Sequence, residues 1–265
     1  MPEHQESVIL VTGATGVIGK AIATELAADA SASLVVVARG RARAAKCVQA
    51  IREASGNDRV RFELADLSRH ASIRALAQSW QGPLHVLVNV AGVAPRKREL
   101  TPEGIELTFA TNVLGYLWLS EEMAAHLARS APAHVVNVAS YYAGDLDLDD
   151  LEFERRRYDN HASYRQSKQA NRMLTVALAE RLSDRGIRVN ACHPGDPPSV
   201  LSRNLGFGGS QSPQDAARTP VMLARGEIGA DSTGRYFEHG REARCRFAAD
   251  REALERLYAI CRSYD

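Results

Sequence analysis

A tyrosine and a lysine four residues apart are the first candidates for chemistry in this chain. Tyr164 and Lys168 belong to the run Tyr-Arg-Gln-Ser-Lys, and in a helix this spacing places both side chains on one face. A tyrosine hydroxyl has a pKa of about 10, and a nearby ammonium group favours the phenolate and lowers that pKa, which suits proton transfer at neutral pH. By itself, the same spacing equally describes a pair of surface side chains.

A glycine-rich turn follows the first apolar run, residues 8–11. Its glycines are spaced G-x-x-G-x-x-G at the start of a predicted helix, so backbone N–H groups and the positive end of that helix can face a pyrophosphate. The residues that this turn would bring to the ligand are Gly13, Thr15, Gly16, Val17, Ile18 and Gly19. The alternative is a plain tight turn between a strand and a helix.

The end of the second apolar run indicates which dinucleotide would bind. NAD-binding sheets usually carry an acidic residue there to hold the ribose 2′-hydroxyl, whereas this run ends at Arg39, with Arg41 and Arg43 nearby. A guanidinium group is a planar fork that suits a 2′-phosphate. The sequence therefore predicts NADP(H), unless these arginines only begin a solvated helix.

Residues after the third and fourth apolar runs extend the predicted cofactor site. Asp66 would accept a hydrogen bond from the adenine amino group with Leu67 packed nearby, although Asp66 could instead cap the helix that follows. Asn89, Ala91 and Gly92 follow the fourth run, where small residues let a cofactor approach the backbone. Asn89 could equally secure the end of the strand.

These residues lie at the ends of predicted strands in a chain that alternates strand and helix. Apolar, β-branched runs predict buried strands at residues 8–11, 34–37, 60–62, 84–88, 135–138 and 187–191. Helical spacing of apolar residues predicts helices at 20–28, 42–53, 72–80, 105–128 and 163–183. The pattern predicts an α/β single-domain doubly wound Rossmann fold, with a parallel sheet flanked by helices. We expect one domain over 1–265, with 1–138 mainly cofactor-binding and 139–265 mainly catalytic and substrate-binding.

Composition argues against a polymer partner. Lysine and arginine number 33 and aspartate and glutamate 32, so no overall field attracts nucleic acid or an anionic membrane. No run approaches the ~20 apolar residues of a membrane span, and the polar residues 1–7 lead directly into the first strand, so we expect neither a signal peptide nor an anchor. The four cysteines include no CxxC pair, which favours a reducing compartment, the cytoplasm. We expect no metal site.

Taken together, these motifs resemble the short-chain dehydrogenase/reductase family over nearly the whole chain. The residues that carry the resemblance are Asn-Val-Ala-Gly at 89–92, Asn112, Ser140, Tyr164 with Lys168, and His-Pro-Gly at 193–195. Features closest to the retinol-dehydrogenase-like branch are Asp-Leu at 150–151, Ser-Lys-Gln-Ala-Asn at 167–171, Cys-His-Pro-Gly at 192–195 and Gly-Arg-Tyr-Phe at 234–237. The resemblance indicates fold and cofactor but not substrate.

The resemblance implies a role for each member of the set. Tyr164 would protonate a carbonyl oxygen while nicotinamide delivers hydride to the carbon, and Ser140 would hydrogen-bond the same oxygen. Lys168 would hold the nicotinamide ribose and tune the tyrosine, and Asn112 would position a water that links the lysine to solvent. Further cofactor-binding residues implied in the second half are Pro194, Gly195 and Ser199. Structural alternatives are that Ser140 ends a strand, Asn112 bonds neighbouring backbone and His193 satisfies a buried carbonyl.

The chain departs from the family pattern in three places. Val17 stands where G-x-x-x-G-x-G has its second glycine, and Val90 replaces the second asparagine of Asn-Asn-Ala-Gly; we expect both to be tolerated. After Gly195 the chain reads Asp-Pro-Pro, so Pro197 lies where a backbone N–H should hold the nicotinamide carboxamide, and proline has none. Ser199 aligns with the family's threonine and could still bond the carboxamide. We expect nicotinamide to be held less firmly or by a different loop path.

Three functions fit this sequence, and we expect the first. It is an NADP(H)-dependent reductase of ketones or aldehydes, or a dehydrogenase of the corresponding alcohols. We expect a bulky apolar or aromatic substrate because Tyr141 and Tyr142 offer ring surface and residues 201–210 are expected to form an apolar lid. The others are a non-redox enzyme of the same fold, such as an isomerase, cyclase or dehydratase with Tyr164 as acid/base, and an NADP(H)-sensing binding protein. The predicted helices 105–128 and 163–183 could form the family's usual dimer face, so a homo-oligomer is possible.

Overall fold

The strands form one sheet, and from the first strand the chain adds neighbours on one side and then on the other. The computed structural model describes residues 7–265, so the prediction for residues 1–6 lies outside it. The strands are β1 (Val8–Thr12), β2 (Ser33–Ala38), β3 (Val60–Leu64), β4 (Val86–Asn89), β5 (Ala133–Val138), β6 (Ile187–Cys192), β7 (Tyr236–Glu238) and β8 (Arg241–Ala243). They are ordered β3-β2-β1-β4-β5-β6-β7-β8; β7 and β8 pair antiparallel, and the other neighbours run parallel.

The strand order reverses between β1 and β4. Ile9 of β1 lies opposite Leu34 on one side and Val86 on the other, so the chain winds outward from β1 in both directions. Crossovers that leave the sheet in opposite directions open a crevice beyond the carboxyl ends of the strands, where such sheets bind ligands. The predicted α/β Rossmann-type fold is therefore confirmed.

Helices cover both faces of the sheet. They are α1 (Val17–Ala27), α2 (Arg41–Ser55), α3 (His70–Ser79), α4 (Leu107–Phe109), α5 (Gly115–Glu122), α6 (Ala124–Arg129), α7 (Asn160–Leu182), α8 (Val200–Asn204), α9 (Pro213–Ala224) and α10 (Arg251–Arg262). Side chains of α1, α2 and α9 pack on one face, and those of α3, α5, α7 and α10 pack on the other. Because both faces are buried, the central strands are almost wholly apolar.

The prediction of one regular helix over residues 105–128 is wrong in the middle of that range. A π-helical turn, Ala110–Leu114, separates α4 from α5, and α6 follows after Met123. Tertiary contacts account for the irregularity. Asn112 is bonded to the backbone of Val93, and a Cβ on Gly115 would lie 2.4 Å from the Leu67 carbonyl oxygen. Such π-turns often occur at functional sites.

The C-terminal quarter contains elements that the sequence pattern did not predict, namely β7, β8, α9 and α10. Leu254, Leu257 and Cys261 of α10 are buried in the same core cluster as the inner face of α7. On the same face of α10, Tyr258 packs against this cluster and donates to Glu121 of α5 at 2.6 Å. Across residues 7–265 no helix combines the length and the apolar character needed to cross a membrane.

Candidate active site

A cleft of about 510 Å³ opens beyond the carboxyl ends of β1, β2 and β4. Its volume lies within the range of small-molecule and cofactor sites. The predicted cofactor residues that line it are Gly13, Thr15, Gly16, Val17, Ile18, Gly19, Arg39, Asp66, Leu67, Ala91, Gly92, Tyr164, Lys168, Pro194 and Ser199. The structure thus brings together residues from six separate chain segments.

The glycine turn is shaped so that only glycine fits at two positions. Gly13 has φ +69°, and a Cβ there would lie 2.7 Å from the backbone of Ala91; a Cβ on Gly19 would lie 2.3 Å from the Gly13 carbonyl oxygen. Gly16 is the N-cap of α1 and provides no side-chain cap, so the first N–H groups of the helix stay available. The turn therefore fits a pyrophosphate group.

Two arginines lie at the far end of this cleft, beyond the carboxyl end of β2. Arg39 and Arg43 line it, and both are exposed. Arg41 does not line it: its guanidinium lies 5.7 Å from the centre of the Phe62 ring. Of the three arginines, Arg39 and Arg43 are therefore the ones available to a 2′-phosphate.

Asp66 lines the same cleft with one carboxylate oxygen already engaged. Its Oδ1 accepts from the Ser68 backbone N–H at 3.1 Å and from the Ser68 hydroxyl at 2.7 Å. The helix that follows, α3, begins at His70 with Arg69 as its N-cap, so Asp66 is not the cap. Asp66 instead forms a local turn and remains at the wall of the cleft.

Asn89 and Asn112 lie behind the cleft rather than in it. Asn89 is fully buried, and its Nδ2 donates to Asn137 at 2.9 Å and to Ser120 at 3.2 Å. The Asn112 amide is engaged by the Val93 N–H at 2.8 Å, the Val93 carbonyl at 3.0 Å and the Ser167 hydroxyl at 3.1 Å. The structural alternatives considered for both side chains are therefore what the structure shows. Sequence reasoning missed Thr111, the neighbour that does line the cleft.

Tyr164 lies where the large cleft meets a smaller pocket of about 60 Å³, and it lines both. Ser140, at the carboxyl end of β5, and Gly195 line only the smaller pocket. Lys168, one turn along α7, has its Nζ 5.6 Å from the centre of the Tyr164 ring and donates to the Val138 carbonyl at 2.9 Å. A reacting carbonyl in the smaller pocket would thus meet both hydroxyl groups.

Burial dominates the protonation of Tyr164 and Lys168. It raises the pKa of Tyr164 to about 12, and a hydrogen bond with Ser140 opposes the increase. Burial also lowers the pKa of Lys168 to about 7. The net shift in the pKa of Tyr164 is therefore upward and not downward, because desolvation penalises the charged form of each group. At neutral pH Tyr164 holds its proton and Lys168 is partly protonated.

A buried arginine supports Ser140 from behind. Arg172, two turns beyond Tyr164 on α7, donates to the Ser140 carbonyl and to the Tyr236 hydroxyl, and its guanidinium lies 3.5 Å from the centre of the Tyr236 ring. Glu238 lies 3.5 Å from the same guanidinium. These contacts fix the end of β5, where the Ser140 hydroxyl accepts from the Tyr142 N–H at 3.0 Å. No sequence pattern predicts this arrangement.

The segment after Gly195 forms one wall of the smaller pocket. Ser199 is the N-cap of α8, and its hydroxyl accepts from the Ser202 N–H at 3.0 Å, so the side chain expected to hold a carboxamide already has a local partner. Pro197 lines the smaller pocket and not the large cleft. Leu205 packs against Tyr164, and Phe207 lies beside Tyr142, as expected of an apolar underside to residues 201–210.

His193 also lines the smaller pocket, but not in the way considered from the sequence. Its Nδ1 is buried without a hydrogen-bond partner in the part of the chain that the structure describes, so that nitrogen does not satisfy a buried carbonyl. The ring instead packs edge-on against Tyr141 with 4.7 Å between ring centres. Burial lowers the pKa of His193 to about 4, so its imidazole is neutral at pH 7.

Comparison with known proteins agrees with this fold. Residues 7–205 match the short chain dehydrogenase family model, so the chain belongs to the short-chain dehydrogenase/reductase family of oxidoreductases. Retinol dehydrogenase 13 of Homo sapiens is 33% identical, over 95% of this chain and 82% of its own length. The expected retinol-dehydrogenase-like branch is confirmed.

Two solved structures share the fold over most of both chains. Pseudomonas aeruginosa RhlG, in a complex with NADP, superposes with a TM-score of 0.71 and 26% identity, covering 88% of this chain and 95% of its own. The actinorhodin polyketide ketoreductase with NADPH superposes with a TM-score of 0.69 and 25% identity, covering 90% and 97%.

Proposed function

We propose that this protein is an NADP(H)-dependent reductase of ketones or aldehydes with a bulky apolar or aromatic body. The observation that carries the proposal is the position of Tyr164 between the cofactor-sized cleft and the smaller pocket, with Ser140 on the pocket side and Lys168 on the cleft side. When bound, a reduced nicotinamide supplies the hydride that goes to the carbonyl carbon. The family's alcohol oxidation is the same chemistry in reverse.

In this proposal Tyr164 is the general acid. Its raised pKa keeps the hydroxyl protonated at neutral pH, and it donates that proton to the carbonyl oxygen while Ser140 donates a hydrogen bond to the same oxygen. Lys168 holds the nicotinamide ribose through Nζ, which also donates to the carbonyl of Val138 at the end of β5. Asn112 acts through the π-turn that it fixes against Val93, and not through a free amide.

NADP(H) rather than NAD is proposed because Arg39 and Arg43 line the cleft where an acidic residue would select NAD. The phosphate turn, Asp66, Leu67, Ala91 and Gly92 form the rest of the proposed cofactor wall. The solved complexes of RhlG with NADP and of the ketoreductase with NADPH support this choice. We also propose that the residues up to 138 mainly bind cofactor and that those from 139 mainly serve catalysis and substrate.

The proposed setting is the cytoplasm, and the proposed partner is a small-molecule carbonyl or alcohol. All four cysteines of the chain are free thiols, which suits a reducing compartment. The near balance of basic and acidic side chains gives no reason to expect nucleic acid or membrane binding.

The test is to follow NADPH absorbance with a panel of bulky ketones and aldehydes for wild type and Tyr164→Phe. We expect the substitution to lower the rate by about 100-fold or more, because general acid catalysis contributes at least that much. Tyr258→Phe is the matched control, since its hydroxyl bonds to Glu121 on α5 away from both cavities. NADPH consumption that does not depend on Tyr164 would refute the assignment of the acid.

The same assay separates the alternatives. Conversion of substrate that requires Tyr164 without net loss of NADPH would indicate the non-redox enzyme, for which Pro197 gives some reason because it cannot donate to a carboxamide. Tight NADPH binding with no conversion, unaffected by Tyr164→Phe, would indicate the NADP(H)-sensing protein.

A further inference from the structure

One carboxylate lies in the smaller pocket with nothing to neutralise it. Asp196 lines this pocket but not the cofactor cleft. Among the described residues that line the pocket, Asp196 is the only acidic one, and none is a lysine or arginine. His193 is neutral at pH 7 because burial lowers its pKa to about 4. Over residues 7–265 the Asp196 carboxylate has neither a hydrogen bond nor an ion pair.

The backbone holds Asp196 in place. Its N–H donates to the Gln211 side-chain oxygen at 2.6 Å, and its carbonyl accepts from the N–H groups of Ser210 at 2.9 Å and Gln211 at 3.2 Å. Pro197 follows, and its ring restricts the next φ. The charge also acts on the reacting hydroxyl, since Asp196 adds to the increase that burial causes in the pKa of Tyr164. The backbone therefore holds Asp196 at the substrate side of the site.

Aromatic rings form the rest of this wall. The Tyr142 and Phe207 rings meet edge-on with centres 5.3 Å apart, and Tyr141 is 56% exposed at the rim. Arg165 lies 5.1 Å from the centre of the Tyr142 ring, but its charge is paired with Asp145 at 2.6 Å. A free carboxylate beside ring faces is the combination that binds organic cations.

We propose that Asp196 is a specificity-determining residue that selects carbonyl substrates carrying a protonated amine. The inference rests on the proposed reductase function and narrows its substrate class. A wholly apolar ketone would bury the carboxylate without a partner, which is unfavourable, whereas an ammonium group pairs with it while the aromatic body packs on the rings. The substrate thus has an apolar body with a cationic end.

Two ketones of the same shape test this. In para-(dimethylaminomethyl)acetophenone the nitrogen is protonated at neutral pH, and para-isobutylacetophenone replaces that nitrogen by carbon. We expect the kcat/KM of wild type to favour the amine by more than about 10-fold, and Asp196→Asn or Asp196→Ser to bring the ratio close to one. Asp231→Asn, which removes an exposed carboxylate, is the control and should keep the wild-type ratio.

Binding of the same two ketones to the NADPH-loaded protein by ligand-observed NMR gives a second readout that does not require turnover. Equal affinity for the two ketones in wild type, or a preference that persists in both Asp196 variants, would overturn the inference. So would Asp196 variants that lose NADPH affinity while keeping the ratio, since the carboxylate would then serve the nicotinamide. A third outcome separates the two proposals. If neither ketone is reduced, but the amine binds more tightly than the carbon analogue and loses that preference in the Asp196 variants, the proposed reductase function fails while the recognition of cations by Asp196 stands.

Discussion

Replacement of Lys168 by methionine tests how much the burial of this ammonium group reduces the free energy of unfolding. Lys168 is 3% exposed, and its Nζ donates to the Val138 carbonyl at 2.9 Å. In the part of the chain that the structure describes, no carboxylate lies within ion-pair distance of it. Burying an ammonium group without a counter-charge is unfavourable. We therefore expect the charged form of Lys168 to destabilise the folded protein, although the residue belongs to the proposed active site.

The magnitude follows from the pKa. Burial lowers the pKa of Lys168 from 10.5 to about 7, and at about 1.4 kcal/mol per pKa unit this corresponds to roughly 5 kcal/mol. Because the folded-state pKa is the lower one, the unfolded chain binds more protons between pH 7 and 10.5. The penalty is therefore complete below about pH 7 and vanishes above about pH 10.5.

We expect Lys168→Met to be more stable than wild type by roughly 2–4 kcal/mol near pH 6.5, after subtracting about 1 kcal/mol for the lost hydrogen bond to Val138. Near pH 10 the advantage should disappear, and above that the variant should be slightly less stable. Urea unfolding across this pH range measures both limits, with the exposed Lys97→Met as control. A difference in unfolding free energy that does not change with pH would refute the reasoning.

Three other measurements test the cofactor cleft and the C-terminal helix. Arg39→Ser should weaken NADPH binding by about 10-fold or more with little effect on NADH binding. Arg41→Ser should leave both affinities unchanged, because the Arg41 guanidinium lies over the Phe62 ring; fluorescence titration measures the affinities. Gly13→Ala should abolish NADPH binding because its Cβ would lie 2.7 Å from the Ala91 backbone, and Gly40→Ala, which meets nothing within 4 Å, should bind like wild type. Light scattering should give the mass of a monomer, because α10 packs on α7 and bonds to α5, which belong to the two helices expected to form a dimer; a dimer mass would contradict this.

The sequence was most informative where local chemistry decides the structure. The strands β1, β2 and β4 are short apolar runs because both faces of the sheet are buried there, so their pattern does not depend on distant partners. The turn at Gly13 and Gly19 needs glycine for steric reasons that the spacing reveals. The approach of Lys168 to Tyr164 follows from helical geometry alone.

Features that depend on distant contacts could not be predicted. The π-turn and the engaged amide of Asn112 depend on Val93, in a loop that packs against it. The support of Ser140 joins Arg172 to Tyr236 on β7, a strand of three residues that is too short for a periodic signal. The pKa directions of Tyr164 and Lys168 depend on burial, which spacing does not report.

The charges around Tyr164 also bear on the direction of the reaction. Reduction needs a proton on the phenol, whereas oxidation of an alcohol needs the phenolate to accept one. Burial raises the pKa of Tyr164, and the Asp196 carboxylate raises it further, while Lys168 is itself close to losing its proton at neutral pH. In the proposed reaction, both effects keep the proton on Tyr164, the proposed general acid. If that proposal holds, a Tyr164 pKa of about 12 favours carbonyl reduction near neutrality, and we expect oxidative activity to increase only as the pH rises.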